Sequence, residues 1–399
     1  MPLDFSRQGA RETHRRLVLS EIILNGPVSR TEIARRTGLT ASSVSRISRE
    51  LIDADLISEG DQVAGTRPGR RFVALDVKAS GGYVVGISMN VFQQYVTLAD
   101  LKNTTIARRE LGITSFEDVD FVVETLIDEV TNLIADAGVP RNRIIGGSLA
   151  VTGAVDPDTG TICAAPLFGW KQIKIGEMLS EPLGLPIHVE SLSNAINLAE
   201  TRFGMARGHN NVIVFNASLG IGVSMLMDNR LIRGADASVG LIGNLSIWMD
   251  SEGERPSVDQ IAGGRGVLNE LDEGAERRSS REAIPQTHKL FHVIELADNG
   301  DERARTALAN AGYKLGEVIC AVNGIMHPEL IILAGPLAWC PFYVRGVRAA
   351  FTAAGFTGNQ IPMQASDMTW RAATRWLAIN EFLLQRDIDL ESLAKRTVA

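Results

Sequence analysis

Along the first 75 positions the apolar residues recur at helical spacing and then change to a hairpin pattern. Residues 13–25 read as a helix with Leu17, Ile22 and Leu24 among its apolar positions, ended by the Gly26-Pro27 dipeptide. Ser29 predicts the N-cap of a second helix. Glu32, three positions on, completes a capping-box pattern, with Ile33 and Ala34 on the buried face. Gly38 makes a turn, Leu39 fills the space between helices, and a third helix starts near Thr40. Val44, Ile47 and Leu51 form one apolar stripe of that helix, and Ser42, Ser43, Ser45, Arg46 and Arg49 lie opposite. Residues 57–61 and 70–75 then read as two strands around a turn at Gly65, with Arg67, Arg70 and Arg71 at the tip.

This is a helix-turn-helix in length, turn chemistry and polarity, followed by a wing. A helix entering the major groove needs short side chains for approach and long donors for reach. Serine and threonine contact phosphates or base edges, arginine binds guanine bidentately, and arginines on a wing suit a narrow minor groove. The expected contacts to double-stranded DNA are therefore Thr40, Ser42, Ser43, Ser45, Arg46, Arg49, Arg67, Arg70 and Arg71. The competing reading is a plain three-helix bundle with a solvated Arg/Ser face.

Near residue 82 the pattern changes to alternating strands. Residues 83–89, 94–100 and 104–111 predict three strands, 116–137 a helix and 143–151 a strand. A helix over 173–183, a strand over 186–190 and a helix over 193–205 follow. At Asn211 the order restarts with strands at 211–217, 222–227 and 229–233. Helices at 302–326, 341–354 and 370–384 then alternate with strands at 330–333 and 361–364. A repeated strand-strand-strand-helix order predicts two duplicated lobes around a cleft, and such clefts hold ligands. Two unrelated α/β domains are the alternative.

Charge adds a modest argument. The chain has 399 residues and a net charge of −7, yet residues 1–75 hold 12 arginines, no lysine and 9 acidic residues. A basic head on an acidic body suits a DNA-reading head on a ligand-binding body. No apolar run reaches the roughly 20 residues needed to span a bilayer, and the N-terminus lacks an apolar signal core, so a cytoplasmic protein with no membrane partner is expected. Cys163, Cys320 and Cys340 are far apart and form no CxxC pair.

The stretch SRTEIARRTGLTASSVSRISRELIDADLI resembles the winged helix of the ROK family (repressors, open reading frames and kinases), and the resemblance extends over essentially the whole chain. It implies an α/β protein: a winged helix-turn-helix at 1–76, then a duplicated actin-like body of the sugar kinase/ribonuclease H-like type. The lobes are expected at 77–205 and 206–399, with the C-terminal helix able to return to the first lobe. The head is expected to be removable, leaving a folded body.

Measured against that family, the kinase chemistry is missing. The first glycine loop, resembling D-x-G-G-T in the kinases, is replaced by Asn90-Val91-Phe92, where bulk blocks backbone approach by a phosphate. The E-N-D-A-N-A segment reads Glu190-Ser191-Leu192-Ser193-Asn194-Ala195, with Leu192 where the catalytic carboxylate stands. Leucine accepts no proton. The turn 216–222 resembles the second phosphate loop, but a plain hairpin is the stronger reading. No catalytic residue and no cofactor are expected, and a fused sugar kinase is the disfavoured alternative.

The resemblance also implies a sugar site and a zinc cluster. The E-x-G-H motif is replaced by Leu241-Ile242-Gly243-Asn244, and no cysteine lies between Cys163 and Cys320, so no metal is expected. His288 and His292, at i and i+4, lack a third ligand. Glu190, Ser191, Asn194 and Asn244 remain as candidates for binding a sugar or sugar-derived effector. Trp170 is expected to pack, and Gly153-Ala154-Val155-Asp156 to keep the lobe's geometry. The resulting expectation is a repressor of carbohydrate-related genes, acting on an operator as a homodimer or homotetramer. Control by a protein partner instead of a metabolite stays open.

Overall fold

The computed structural model describes residues 7–64, 71–90, 93–248, 253–271, 283–357, 360–386 and 390. The head comprises α1 (Arg7–Asn25), β1 (Val28–Ser29), α2 (Arg30–Thr37), α3 (Ala41–Asp53), β2 (Ile57–Ala64) and β3 (Arg71–Val77). Its three strands pair in the order β1-β3-β2. The Ser29 hydroxyl caps α2, accepting from the Glu32 N–H at 3.1 Å. The expected box is only half made, because the Glu32 carboxylate is drawn to Arg35 and Arg36. Gly38 closes α2 at φ 72°, a left-handed turn that favours glycine, and Thr40 caps α3. Val44, Ile47 and Leu51 are fully buried. On α1 Ile22 is buried as expected, together with Val18 and Leu19, whereas Leu17 is 40% exposed.

The body follows as β4 (Tyr83–Met89), β5 (Gln94–Asp100), β6 (Thr105–Leu111), α4 (Val119–Ala137), β7 (Ile144–Val151), β8 (Ala154–Asp156), β9 (Thr161–Ala165), β10 (Trp170–Ile173), α5 (Ile175–Leu183), β11 (Ile187–Ser191) and α6 (Leu192–Phe203). Then come β12 (Val212–Ala217), β13 (Ile221–Met227), β14 (Arg230–Leu231), α7 (Val258–Ile261), α8 (Gly264–Leu271), α9 (Ala283–Asp298), α10 (Glu302–Met326), β15 (Leu330–Ala334), α11 (Pro341–Ala353), β16 (Met363–Ala365) and α12 (Trp370–Ile379). The two large sheets have orders β11-β7-β4-β5-β6 and β14-β13-β12-β15-β16. In each, the first strand is central. An antiparallel meander lies on one side of it and two parallel strands on the other. That shared plan is the duplication expected from the strand order.

Two differences from the sequence reading are local. The small antiparallel sheet β8–β10 was not expected, because strands of three to five residues are too short for alternation to register. The α4 helix starts at Val119 behind the Asp118 cap, which leaves Phe116 free to stack on Phe168 with ring centroids 4.2 Å apart. Trp170 packs against both rings and donates Nε1–H to the Phe116 carbonyl at 2.6 Å.

Helix α12 packs on β4 and β7 of the first sheet, and the Ser148 hydroxyl donates to the Thr374 carbonyl at 2.6 Å. The approach is close at Gly86, where a Cβ would stand 2.9 Å from Arg375 Cγ and 3.2 Å from its backbone nitrogen. The head does not pack separately from the body. Val18, Ile22, Ile47 and Leu56 share one buried cluster with Val84, Leu101, Ile379, Phe382 and Leu383. Truncation at residue 75 would expose that body face to water. The expectation of a removable head therefore gives way to a shared core.

Candidate DNA-binding face and inter-lobe cleft

Helix α3 presents Thr40, Ser42, Arg46 and Arg49 to solvent, with Ser43 and Ser45 half-buried at its edge. Thr40 Oγ1 donates to Ser43 Oγ at 2.9 Å and accepts from the Ser43 N–H, holding the hydroxyls together at the helix start. Arg46 forms an ion pair with Glu50 at 2.6 Å. Arg49 has no partner among the described residues. Arg71 belongs to β3, while Arg67 and Arg70 lie outside the described residues. On the flank of the motif, hydrogen bonds from Arg35 and then Arg36 hold the Glu32 carboxyl down at about 2.

Three arginines tie this head to the body. Arg207 Nη2 donates to the Leu24 carbonyl and to Asn25 Oδ1, Arg16 to the Gln385 carbonyl, and Arg143 to the carbonyls of Ala54 and Gly81.

A cleft of about 290 Å³ opens where the carboxyl ends of β7, β11 and β12 converge, the usual ligand position for open α/β sheets. Thr152, Gly153, Ser191, Leu192 and Ser193 line it from one side; Asn216, Gly220, Leu241, Asn244, Asp259 and Arg265 line it from the other. Of the four residues expected to bind an effector, Ser191 and Asn244 are on its wall. Glu190 is 0% exposed and is not on the wall. Its carboxylate accepts from the Ser191 N–H, Asn194 Nδ2 and both Arg233 terminal nitrogens, the closest at 2.6 Å. Asn194 is thereby turned to Glu190 and is also absent from the wall. Burial works against the Arg233 charge, but the Glu190 bonds outweigh it and the guanidinium pKa ends above its usual value.

Leu192, in the position the resemblance gives to a catalytic carboxylate, lies on the cleft wall at 2% exposure. Val91 and Phe92 lie outside the described residues. The turn after β12 is held by its own chain: Ser218 N–H donates to the Gly220 carbonyl and Ile221 N–H to Asp259 Oδ1. Its carbonyls at 218 and 219 accept from Gly264 and Arg265. Sequence reasoning missed Asp259 and Arg265 as cleft residues. Neither lies in a motif that the sequence analysis singled out. Burial pushes the Asp259 carboxyl up, with the Ile221 N–H and the Arg265 charge pulling the other way. His288 and His292 lie on α9, and among the described residues no group of three or more His, Cys, Asp or Glu side chains is placed to hold a metal ion.

Helix α6 connects cleft and head. Ser191 caps its start and Leu192 lines the cleft. Further along, Asn197 Nδ2 donates to Ser224 and Val212 of the second sheet, and Glu200 accepts from the Ser366 hydroxyl. At its end Phe203 stacks on Trp376 of α12, with centroids 3.8 Å apart and planes 11° from parallel. Arg207, four residues on, reaches the head.

The chain is 26% identical to the xylose repressor of Bacillus spizizenii over 387 residues, 95% of this chain and 97% of that one. It is 26% identical to the DNA-binding transcriptional dual regulator NagC of Escherichia coli over 321 residues, 78% of this chain and 77% of that protein. Among solved structures it superposes on a ROK family transcriptional regulator, a homologue of the E. coli MLC protein. The TM-score is 0.75 at 20% identity, covering 97% of this chain and 99% of that one. A ROK family glucokinase from Streptomyces griseus covers 74% of this chain and 98% of its own length, with a TM-score of 0.61 at 18% identity. No described helix is long and apolar enough to cross a membrane. Residues 11–58 match the winged helix-turn-helix DNA-binding family and residues 84–369 match the ROK family. The chain therefore belongs to the ROK family and carries a winged helix-turn-helix ahead of an actin-like body of the sugar kinase type.

Proposed function

We propose that a small sugar-derived molecule binding in the inter-lobe cleft changes how well the winged helix fits its operator. The chain is a sugar-related DNA-binding transcriptional repressor, given its winged helix-turn-helix and its similarity to repressors named for xylose and N-acetylglucosamine. The observation that carries the ligand-modulation reading is α6, which starts at the cleft and ends on Trp376 of α12, four residues before Arg207 reaches the head. At 12 residues it spans roughly 18 Å. A ligand that draws Ser191 and Leu192 toward the opposite wall would move the far end of the same rigid element.

Phosphoryl transfer is disfavoured, because the cleft offers Leu192 where a base is needed and a self-bonded turn where phosphates would sit. Two copies are proposed to act together on a two-fold operator in the cytoplasm, with half-sites about 34–36 Å apart or a multiple of that. The test is operator binding by the full chain, read by fluorescence anisotropy on the DNA upstream of its own gene, with and without a panel of sugars and sugar derivatives. Ligand-dependent release or tightening supports the reading. Unchanged operator affinity with a ligand demonstrably bound in the cleft overturns it.

A further inference from the structure

The cleft contains a cation with one hydrogen-bonding edge unused. Arg265 lines the cleft, and its Nε and Nη2 atoms are shielded from solvent with no partner among the described residues. Native interiors seldom leave such donors unmade, and the penalty is larger on a charged group. Nε and Nη2 form one edge of the guanidinium. Their two N–H bonds run parallel, at the spacing of two oxygens of a carboxylate or phosphate. Asn216 also lines the cleft, but its buried Oδ1 is turned toward Gly335, where a Cβ would come within 2.7 Å of it.

Among the described residues Asp259 is the only acidic one on the wall and the natural rival for that edge. Its carboxylate is engaged elsewhere. Oδ1 accepts from the Ile221 N–H at 2.7 Å, and the group is wedged between two glycines. A Cβ on Gly220 would come within 2.7 Å of Oδ2, and one on Gly243 would come closer still to Oδ1. The N–H groups of Ser218 and Ile221 are also committed, and among the described wall residues the guanidinium is the one cationic donor for an anion.

We propose that the effector is a sugar derivative bearing an oxyanion, a phosphate monoester or a sugar-acid carboxylate, gripped side-on by Arg265. This rests on reading the cleft as the effector site. The experiment follows the thermal midpoint of the full chain, at constant ionic strength, against inorganic phosphate, acetate, glucose 6-phosphate, glucuronate and glucose. At least one of the anions is expected to raise the midpoint, with glucose weaker than its charged derivatives. Glucose 6-phosphate and glucuronate tell a phosphate site from a carboxylate site.

In Arg265→Gln the apparent affinity for the responding anion is expected to fall roughly 10- to 100-fold, the loss of a charge-assisted pair of hydrogen bonds. Arg265→Lys keeps the charge but not the fork, so it should recover only part of the loss; it also serves if the glutamine variant does not fold. Glucose binding as well as its derivatives, or anion binding unchanged in both variants, overturns the assignment and leaves the cleft as an effector site. A chain that responds to none of the probes overturns the anion assignment, while operator release by some other, uncharged sugar would still support the cleft.

Discussion

Arg207 Nη2 lies 2.8 Å from the Leu24 carbonyl oxygen and 2.9 Å from Asn25 Oδ1, joining the segment after α6 to the last turn of the first head helix. Exposed bonds of this kind contribute about 0.5–1.5 kcal/mol to stability. Their position matters more than their strength. Arg207→Ala should lower the thermal midpoint only slightly, leave ligand binding in the cleft intact, and shrink the ligand-induced change in operator affinity. Paired anisotropy titrations with and without ligand check this; an undiminished response would show that the signal travels by another route.

On the DNA side, Arg46→Ala should weaken binding to the operator by about 1–3 kcal/mol if the guanidinium reads a base edge. The Arg46–Glu50 pair must open for that contact, so Glu50→Gln should bind DNA more tightly than the unaltered chain. Competition between operator and random DNA decides the role. Equal loss on both for Arg46→Ala would make the residue a phosphate contact.

The shared core makes head and body a single cooperative unit. Ile379 is fully buried in the cluster that also contains Ile22 and Leu56. Ile379→Ala should cost about 2–5 kcal/mol and lower unfolding of both parts together. Calorimetry showing two separated transitions, with only the body affected, would contradict the shared core.

Asp259 gives a pH dependence of known sign. Burial holds its folded-state pKa above the unfolded value of about 4, so the folded chain binds this proton more tightly. The contribution is present below about pH 4 and is lost as pH rises through the folded pKa. Asp259→Asn keeps an oxygen for the Ile221 N–H but has no charge to bury. Its midpoint should therefore gain on that of the unaltered chain as pH rises from 4 to 8. A difference that shrinks over this range has the wrong sign.

Wild-type protein should not phosphorylate hexoses with ATP, since loss of a general base alone typically costs about 10²–10⁴-fold. Leu192→Asp should not restore turnover, and it should lower stability by placing a carboxylate at a site only 2% exposed. A coupled kinase assay over common hexoses and amino sugars is the check, and turnover clearly above background by the unaltered chain would reverse the reading.

The sequence by itself determined the local structure. The Ser29 and Thr40 caps, the Gly38 turn and the Val44/Ile47/Leu51 stripe are set by neighbours a few residues apart, so they were legible from spacing alone. The repeated strand order was legible in the same way, whereas Leu192 in place of a carboxylate was legible only through the resemblance to the family's motif. Only the tertiary structure decided what each polar side chain faces. Glu190 and Asn194 had the right chemistry for a ligand, but Arg233, 43 residues after Glu190, takes the carboxylate and Glu190 takes the amide. Arg265 looked unremarkable in a helix start until folding brought it to the cleft without a partner. The head appeared separable because periodicity within residues 13–57 satisfied it locally, yet Ile379 and Phe382, more than 300 residues away, complete its core. Pairings over such distances depend on how sheets and helices pack, which no pattern within a short window encodes.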